Sequence, residues 1–213
     1  MTNPLIKICG IRDPATAQQA AAMGVHFIGI VFHPLSPRYV HLEQAVAIAK
    51  ATQEAGASPV AVFVNHTDLE MKPICEITKI HIVQLHGAIS RRHHHLLPDD
   101  YQRIYAQTVS AQGEVEGHEG LEYLDRKRDF ILLDQAPSGR GNSLKQLAFR
   151  DHYLSFPWLL AGGLSPSNVA TAMKDWQPQG VDVSSGVESS IGNKDILLIQ
   201  KFVAQVRGYP DAI

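Results

Sequence analysis

A closed (β/α)8 TIM barrel is the fold this sequence predicts, on three observations. Eight short β-rich runs recur along the 213 residues, and segments with helical apolar spacing separate them. The turn after the first run, Cys-Gly-Ile-Arg-Asp, lacks the glycine-rich fingerprint of an open dinucleotide-binding sheet. Strands alternating with helices imply right-handed βαβ crossovers and a parallel sheet covered by helices. Eight such units in this length match a compact barrel, slightly below the usual size, with residues 1–213 forming a single domain and an open doubly wound sheet as the alternative.

The expected strands, in order, are LIKIC (5–9), HFIGIVF (26–32), PVAVFV (59–64), IHIVQLH (80–86), RIYAQTV (103–109), FILLD (130–134), PWLLAG (157–162) and GVDVSS (180–185). Helices are expected in PATAQQAAAMG, LEQAVAIAKATQEAG, DLEMKPICEIT, SPSNVATAMKDW and KDILLIQKFVAQV. The first carries its own end signals: Asp13 as N-cap, Pro14 at the first helical position and Gly24 as the stop. The fifth unit is the weakest, because GEVEGHEGLEYLDRKR has three glycines and little apolar periodicity.

Composition excludes several classes. An apolar content of 45%, a charged content of 19% and a formal net charge of -2 do not suit a binder of phosphate backbones, so no nucleic acid partner is expected. No apolar run approaches the roughly 20 residues of a bilayer crossing, and MTNPLIKICG lacks the features of a signal peptide. A cytoplasmic protein with no membrane partner follows. With Cys9 and Cys75 as the two cysteines there is no disulfide framework. Cys75, in an expected outer helix, reads as inert packing.

Barrel enzymes place their chemistry at the carboxyl ends of the strands. There the sequence sets Cys9 after strand one, Ser36-Pro37-Arg38 after strand two and Asn65 after strand three. Gln84 to His86 end strand four, and Asp134 closes strand six. Gly162-Gly163 and Ser184-Ser185-Gly186 follow strands seven and eight, where barrels commonly hold phosphate on backbone N–H groups and the start of a short helix. Either loop alone is consistent with a tight turn; the two in adjacent units favour a phosphorylated ligand. Read singly, each side chain has an ordinary alternative. Cys9 could be a small core residue, Asp134 a turn cap, Arg38 a surface ion-pair partner and His86 a hydrogen-bonded structural histidine.

The runs KICGI, GIVFHPLSPRYV, VAVFVN, VQLHG, LLD, LAGGLSPSNV and GVDVSSGVESSIGNKD, in this order, resemble the phosphoribosylanthranilate isomerase family of tryptophan biosynthesis. The resemblance implies a barrel with no metal or organic cofactor, acting on a small phosphosugar, N-(5'-phosphoribosyl)anthranilate. By motif position Cys9 is similar to the family's general base and Asp134 to its general acid. Arg38 would hold the anthranilate carboxylate, and Gly162, Gly163, Ser185 and Gly186 would take the phosphate. His86 and Asp182 match positions near the substrate. The chain departs from the family after the acid strand, reading Ser138-Gly139-Arg140-Gly141-Asn142-Ser143-Leu144 in place of a Gly-Gly-Thr-Gly turn and an aromatic segment.

The chemistry sets two requirements. A thiol is mostly protonated at neutral pH, so a basic Cys9 needs help, and Lys7, two residues earlier on the same face, is expected to favour its thiolate. An aspartate near its ordinary pKa is ionised, so an acidic Asp134 needs the desolvated setting suggested by Phe130-Ile131-Leu132-Leu133. The run Arg91-Arg92-His93-His94-His95 is expected to be a solvated helix face, since consecutive helical residues point in different directions and cannot easily converge on one metal.

Two other readings compete. A different phosphosugar barrel, whether a metal-aided epimerase or a lysine-dependent indole-forming synthase, lacks clustered His and Asp ligands in the first case and lysines beyond Lys7 in the second. A non-catalytic phosphate-binding barrel using Cys9 as a redox sensor would need neither Cys9 nor Asp134 for its binding. The chain is expected to be a monomer, with no continuous apolar stripe on its expected helices.

Overall fold

The computed structural model describes residues 3–110, 114–135 and 156–208. Strands β1 (Leu5–Cys9), β2 (Phe27–Val31), β3 (Ser58–Phe63), β4 (Ile82–Leu85), β5 (Gln102–Val109), β6 (Phe130–Gln135), β7 (Trp158–Ala161) and β8 (Gly180–Val183) are parallel neighbours in chain order. The ring closes where β8 pairs with β1, in the register Leu5 to Gly180 and Lys7 to Asp182. Helices α1 (Pro14–Ala22), α2 (Leu42–Glu54), α3 (Asp68–Thr78), α4 (Ala88–His93), α5 (Val169–Trp176) and α6 (Ile196–Arg207) lie between strands or follow the last one.

Strand parity decides what fills the barrel. Phe27, Val60, Ile104, Leu132 and Leu159 form an inner apolar cluster, and Cys9, Val31 and Val62 form a second. Residues of the opposite parity, such as Ile6, Ile8, Ile28 and Ile30, pack outward with Ile48 of α2 and Phe202 of α6. Each such fully buried side chain contributes about 1.5–3 kcal/mol relative to exposure. Cys75 in α3 belongs to this outer layer, and burial pushes its thiol up to about 12, which leaves it unreactive.

The expected end signals of α1 are present. The Asp13 carboxylate accepts from the Thr16 N–H at 2.8 Å, Pro14 opens the helix, and Gly24 takes φ +83° just beyond it. Strands seven and eight are shorter than expected because the chain turns at Gly162 and Ser184. Gly162 has φ +91°, outside the β region, and a Cβ there would meet the Gln135 carbonyl oxygen at 2.3 Å. The Ser138–Leu144 departure and Arg140 lie outside the described residues.

The fifth unit has no helix among its described residues. A short strand, Val115–Glu116, folds back antiparallel onto β5, and a 3-10 turn, Leu121–Tyr123, follows. The basic run, which spans the end of α4 and the 3-10 turn His94–Leu96 after it, holds this segment down, which corrects the expectation of a solvated face. Arg91 Nε donates to Glu119 at 2.8 Å, His94 Nε2 donates to the Gly120 carbonyl at 2.8 Å, and the His95 ring stacks on Tyr123. His94 is fully buried. The consecutive side chains do diverge, and Arg91, His94 and His95 turn towards this segment.

Candidate active site

The carboxyl ends of the strands open into a cavity of about 500 Å³, lined by Cys9, Arg38, His86, Asp134, Asp182 and both glycines of the β7 loop. One layer below the mouth, inside the barrel, lies Lys7. It is fully buried and its Nζ donates to Asp182 Oδ1 at 2.9 Å. Burial works against this ammonium, but Asp182 and Cys9 outweigh it and the Lys7 pKa is raised. The two side chains form an ion pair inside an apolar barrel.

Cys9 ends β1 above Lys7. Burial raises its pKa, Lys7 and Lys194 lower it, and burial wins. Lys7 favours the thiolate as expected from the sequence, but the net shift is upward rather than downward, and the resting group is the thiol. Room for the pair comes from Gly29 on β2. A Cβ there would stand 2.8 Å from Cys9 Sγ and 3.1 Å from Lys7 Nζ.

Asp134 is the penultimate residue of β6, with Thr108 and Ala161 as its strand neighbours. Its carboxyl is pushed up by burial, against the pull of His86, whose Nε2 is 3.5 Å from Oδ2. That agrees with the desolvated setting expected from the apolar run before it. The Gln84 amide donates to His86 Nδ1 at 3.3 Å, so the ring proton sits on Nε2, facing Asp134. Burial lowers the His86 pKa and favours this neutral ring.

Arg38 stretches over Gly10, whose φ of +79° and missing Cβ leave space for the arginine stem. Its Nε and Nη2 donate to Glu188 Oε1 and Oε2 at 2.7 and 2.9 Å, a two-point ion pair. Lys194 joins the same carboxylate at 2.8 Å and also donates to the Ser184 carbonyl. Ser184 in turn donates its hydroxyl to the Cys9 carbonyl at 2.9 Å, tying the end of β8 to the end of β1.

The two glycine-bearing loops meet. A 3-10 turn, Ser185–Val187, follows β8 as the sequence suggests, and Gly186 lies so close to the β7 loop that a Cβ would be 1.9 Å from the Leu164 carbonyl oxygen. Gly162, Gly163 and Ser185 line the cavity; Gly186 is not among its lining residues and instead lets the loops approach. Asn168 braces the β7 loop, donating to the Gly163 carbonyl at 2.9 Å and accepting from the Ser165 N–H at 2.7 Å.

A family model described as N-(5'phosphoribosyl)anthranilate (PRA) isomerase matches residues 6–205. The chain belongs to that family. It is accordingly a phosphoribosylanthranilate isomerase by family, an enzyme of tryptophan biosynthesis. A curated relative of that name from Chlamydia felis is 36% identical over 203 residues, spanning 95% of this chain and 96% of its own. A chloroplastic relative from Arabidopsis thaliana is 36% identical over 96% of this chain and 75% of its own. Among solved structures, a phosphoribosyl anthranilate isomerase in complex with reduced 1-(o-carboxyphenylamino)-1-deoxyribulose 5-phosphate superposes with a TM-score of 0.78. It is 30% identical and covers 96% of this chain and 99% of that one. The Thermotoga maritima isomerase gives 0.77 at 31% identity, with the same shares covered.

Three residues that pack against the candidate site do not stand out in the sequence. Gly29 has a signal, an isolated glycine inside the β-branched strand FIGIV. Glu188 and Lys194 lie six residues apart on a short antiparallel hairpin, Glu188–Ser190 with Asn193–Lys194, and only that pairing brings them together. Among the described residues, no group of three His, Cys, Asp or Glu side chains could hold a metal ion.

Proposed function

We propose that this isomerase converts N-(5'-phosphoribosyl)anthranilate to 1-(2-carboxyphenylamino)-1-deoxyribulose 5-phosphate by an Amadori rearrangement. Asp134 is the general acid and Cys9 the general base. The carrying observation is that a carboxyl group raised by burial and a thiol beside a buried ammonium open into one cavity.

Asp134 delivers its proton to the ribose ring oxygen as the C1'–O bond breaks, and the anilino nitrogen lone pair forms a cationic Schiff base. The Nε2–H of His86 faces the carboxylate left behind and stabilises it. Cys9 then takes the C2' proton, and the electron pair forms the enolamine and neutralises the nitrogen. Tautomerisation, with a proton gained at C1' and one lost from the C2' hydroxyl, gives the ketone. The resting thiol must first release its proton to solvent at the open mouth of the cavity, and three positive charges favour that: Lys7 below, Lys194 and the Schiff-base nitrogen in front.

The ends of the substrate are held apart from the chemistry. Arg38 takes the anthranilate carboxylate, and the backbone of Gly162, Gly163 and Ser185, with Gly186 permitting the close approach, takes the phosphate. Asp182 serves by keeping Lys7 charged and in place. The whole reaction is a balanced isomerisation that asks for no metal, organic cofactor or redox partner. The 1–213 chain works as one domain and as a monomer, in the cytoplasm, with the phosphosugar as its ligand.

Turnover of phosphoribosylanthranilate, followed by loss of its fluorescence, tests the assignment. Asp134→Asn and Cys9→Ser each lose turnover by about 10² or more while still binding a product analogue, the range usual for a positioned proton donor or acceptor. Full activity in either variant removes that residue from the mechanism.

A further inference from the structure

We infer that Glu188 is a positioning residue that gives Arg38 its specificity for an aryl carboxylate, with Lys194 as its counter-ion. The inference rests on the reading that Arg38 holds the substrate carboxylate.

A guanidinium has five N–H donors arranged as edges of a planar fork, and each edge can grip one carboxylate. Glu188 occupies the edge made by Nε and Nη2, at 2.7 and 2.9 Å. The edge shared by Nη1 and the second Nη2 hydrogen remains, and among the described residues Nη1 has no hydrogen-bond partner. Arg38 itself lines the cavity. A plane with one edge clamped can swing little, so the other edge is presented in a fixed direction before substrate arrives. That lowers the ordering cost of binding.

The clamp is itself held on several sides. Glu188, whose side chain is 5% exposed, receives Lys194 Nζ at 2.8 Å and the Gly192 N–H at 3.2 Å. Gly192 has φ +80°, which turns the hairpin so that its N–H points back at Glu188. Lys194 is anchored to the carbonyl and hydroxyl of Ser184, at 2.9 and 3.2 Å. Two cations and one anion leave a single net positive charge, which a single carboxylate neutralises. Without Glu188, two adjacent cations would face the ligand, and the cluster would attract anions of any shape.

Charge and positioning predict opposite results for Glu188→Gln. As a charge alone, losing Glu188 makes the pocket more positive and tightens anion binding. As a positioner, losing it frees Arg38 and weakens binding of the carboxylated ligand.

The probes are the reduced product analogue 1-(o-carboxyphenylamino)-1-deoxyribulose 5-phosphate and its counterpart lacking the carboxylate, measured by calorimetry on the full chain. For Glu188→Gln, affinity for the first falls by about tenfold or more and affinity for the second stays within about twofold. KM rises while kcat changes by less than about threefold, because the reacting atoms are not touched. In an Arg38→Met background the same substitution adds nothing further. Unchanged or tighter binding of the carboxylated probe overturns the inference. So does equal loss of both probes, which would make Glu188 a brace for the phosphate loop. If Arg38→Met itself fails to discriminate the two probes, the assignment of Arg38 falls instead, and the two failures are told apart.

Discussion

At the scale of the residue, the site is a contest between burial and charge. Cys9 shows the balance most clearly: the barrel interior disfavours its thiolate, and Lys7 opposes that penalty without overcoming it. Replacing Lys7 by methionine removes the opposition and leaves Asp182 as an uncompensated anion beside the sulfur, and both changes raise the thiol pKa further. Thiol alkylation in Lys7→Met should therefore need a higher pH. At a fixed pH its rate should fall with the thiolate fraction, about tenfold for each pH unit by which the profile moves. The double variant Lys7→Met/Asp182→Asn should recover part of the loss, since it removes the stranded carboxylate. An alkylation profile identical to that of the parent would separate Lys7 from the reactivity of Cys9. Gly29 belongs to the same contest, because any side chain there would push the sulfur and the ammonium apart.

At the scale of the element, strand positions are legible in the sequence because each strand is a short, largely apolar run bounded by a turn, and its inward and outward faces are fixed by parity. Cys9, His86 and Asp134 could be placed at strand ends for that reason. The Glu188–Lys194 hairpin could not. Its partners are polar residues six apart in a glycine-containing loop, and no periodicity announces an ion pair there. The basic run at the end of α4 and in the turn after it misleads for a related reason. Its composition reads as solvated, whereas the described part of the fifth unit is a loop that needs anchors, and His94 is buried beneath it. The hairpin carries its own prediction. Burial alone would raise the Glu188 carboxyl, yet Arg38 and Lys194 hold it down to about 2, below its ordinary 4.5. Between those values the unfolded chain binds the proton and the folded one does not. Stability from this group is thus complete above pH 4.5 and is lost as pH falls towards 2. Urea unfolding of the parent and Glu188→Gln should differ at neutral pH by about 3 kcal/mol or less, with the gap narrowing steadily through that acid window. A gap independent of pH would mean that the glutamate contributes shape and not charge.

At the scale of the whole molecule, a barrel is a sheet with no edge, so its stability depends on the strand that completes the ring. Here β8 does so, and the seam with β1 carries both the Lys7–Asp182 pair and a close backbone approach on the floor. Gly180 opens β8 where a Cβ would stand 2.6 Å from the Leu5 side chain and 2.7 Å from Leu159 on the other neighbour. Two strands would have to move apart to admit it. Gly180→Ala should lower stability by about 2–4 kcal/mol, the overpacking range and beyond, seen as a lower urea midpoint with little change in slope. Gly56→Ala is the matched control: its φ of +84° strains alanine, but a Cβ there meets nothing within 4 Å. That change should cost about 1 kcal/mol, the left-handed backbone penalty alone. Because the seam joins the two ends of the sheet, the Gly180 variant should speed amide exchange across β1 to β8 together, whereas the Gly56 variant should not. Equal costs at the two glycines would mean that the seam yields locally and that closure does not govern the stability of the ring.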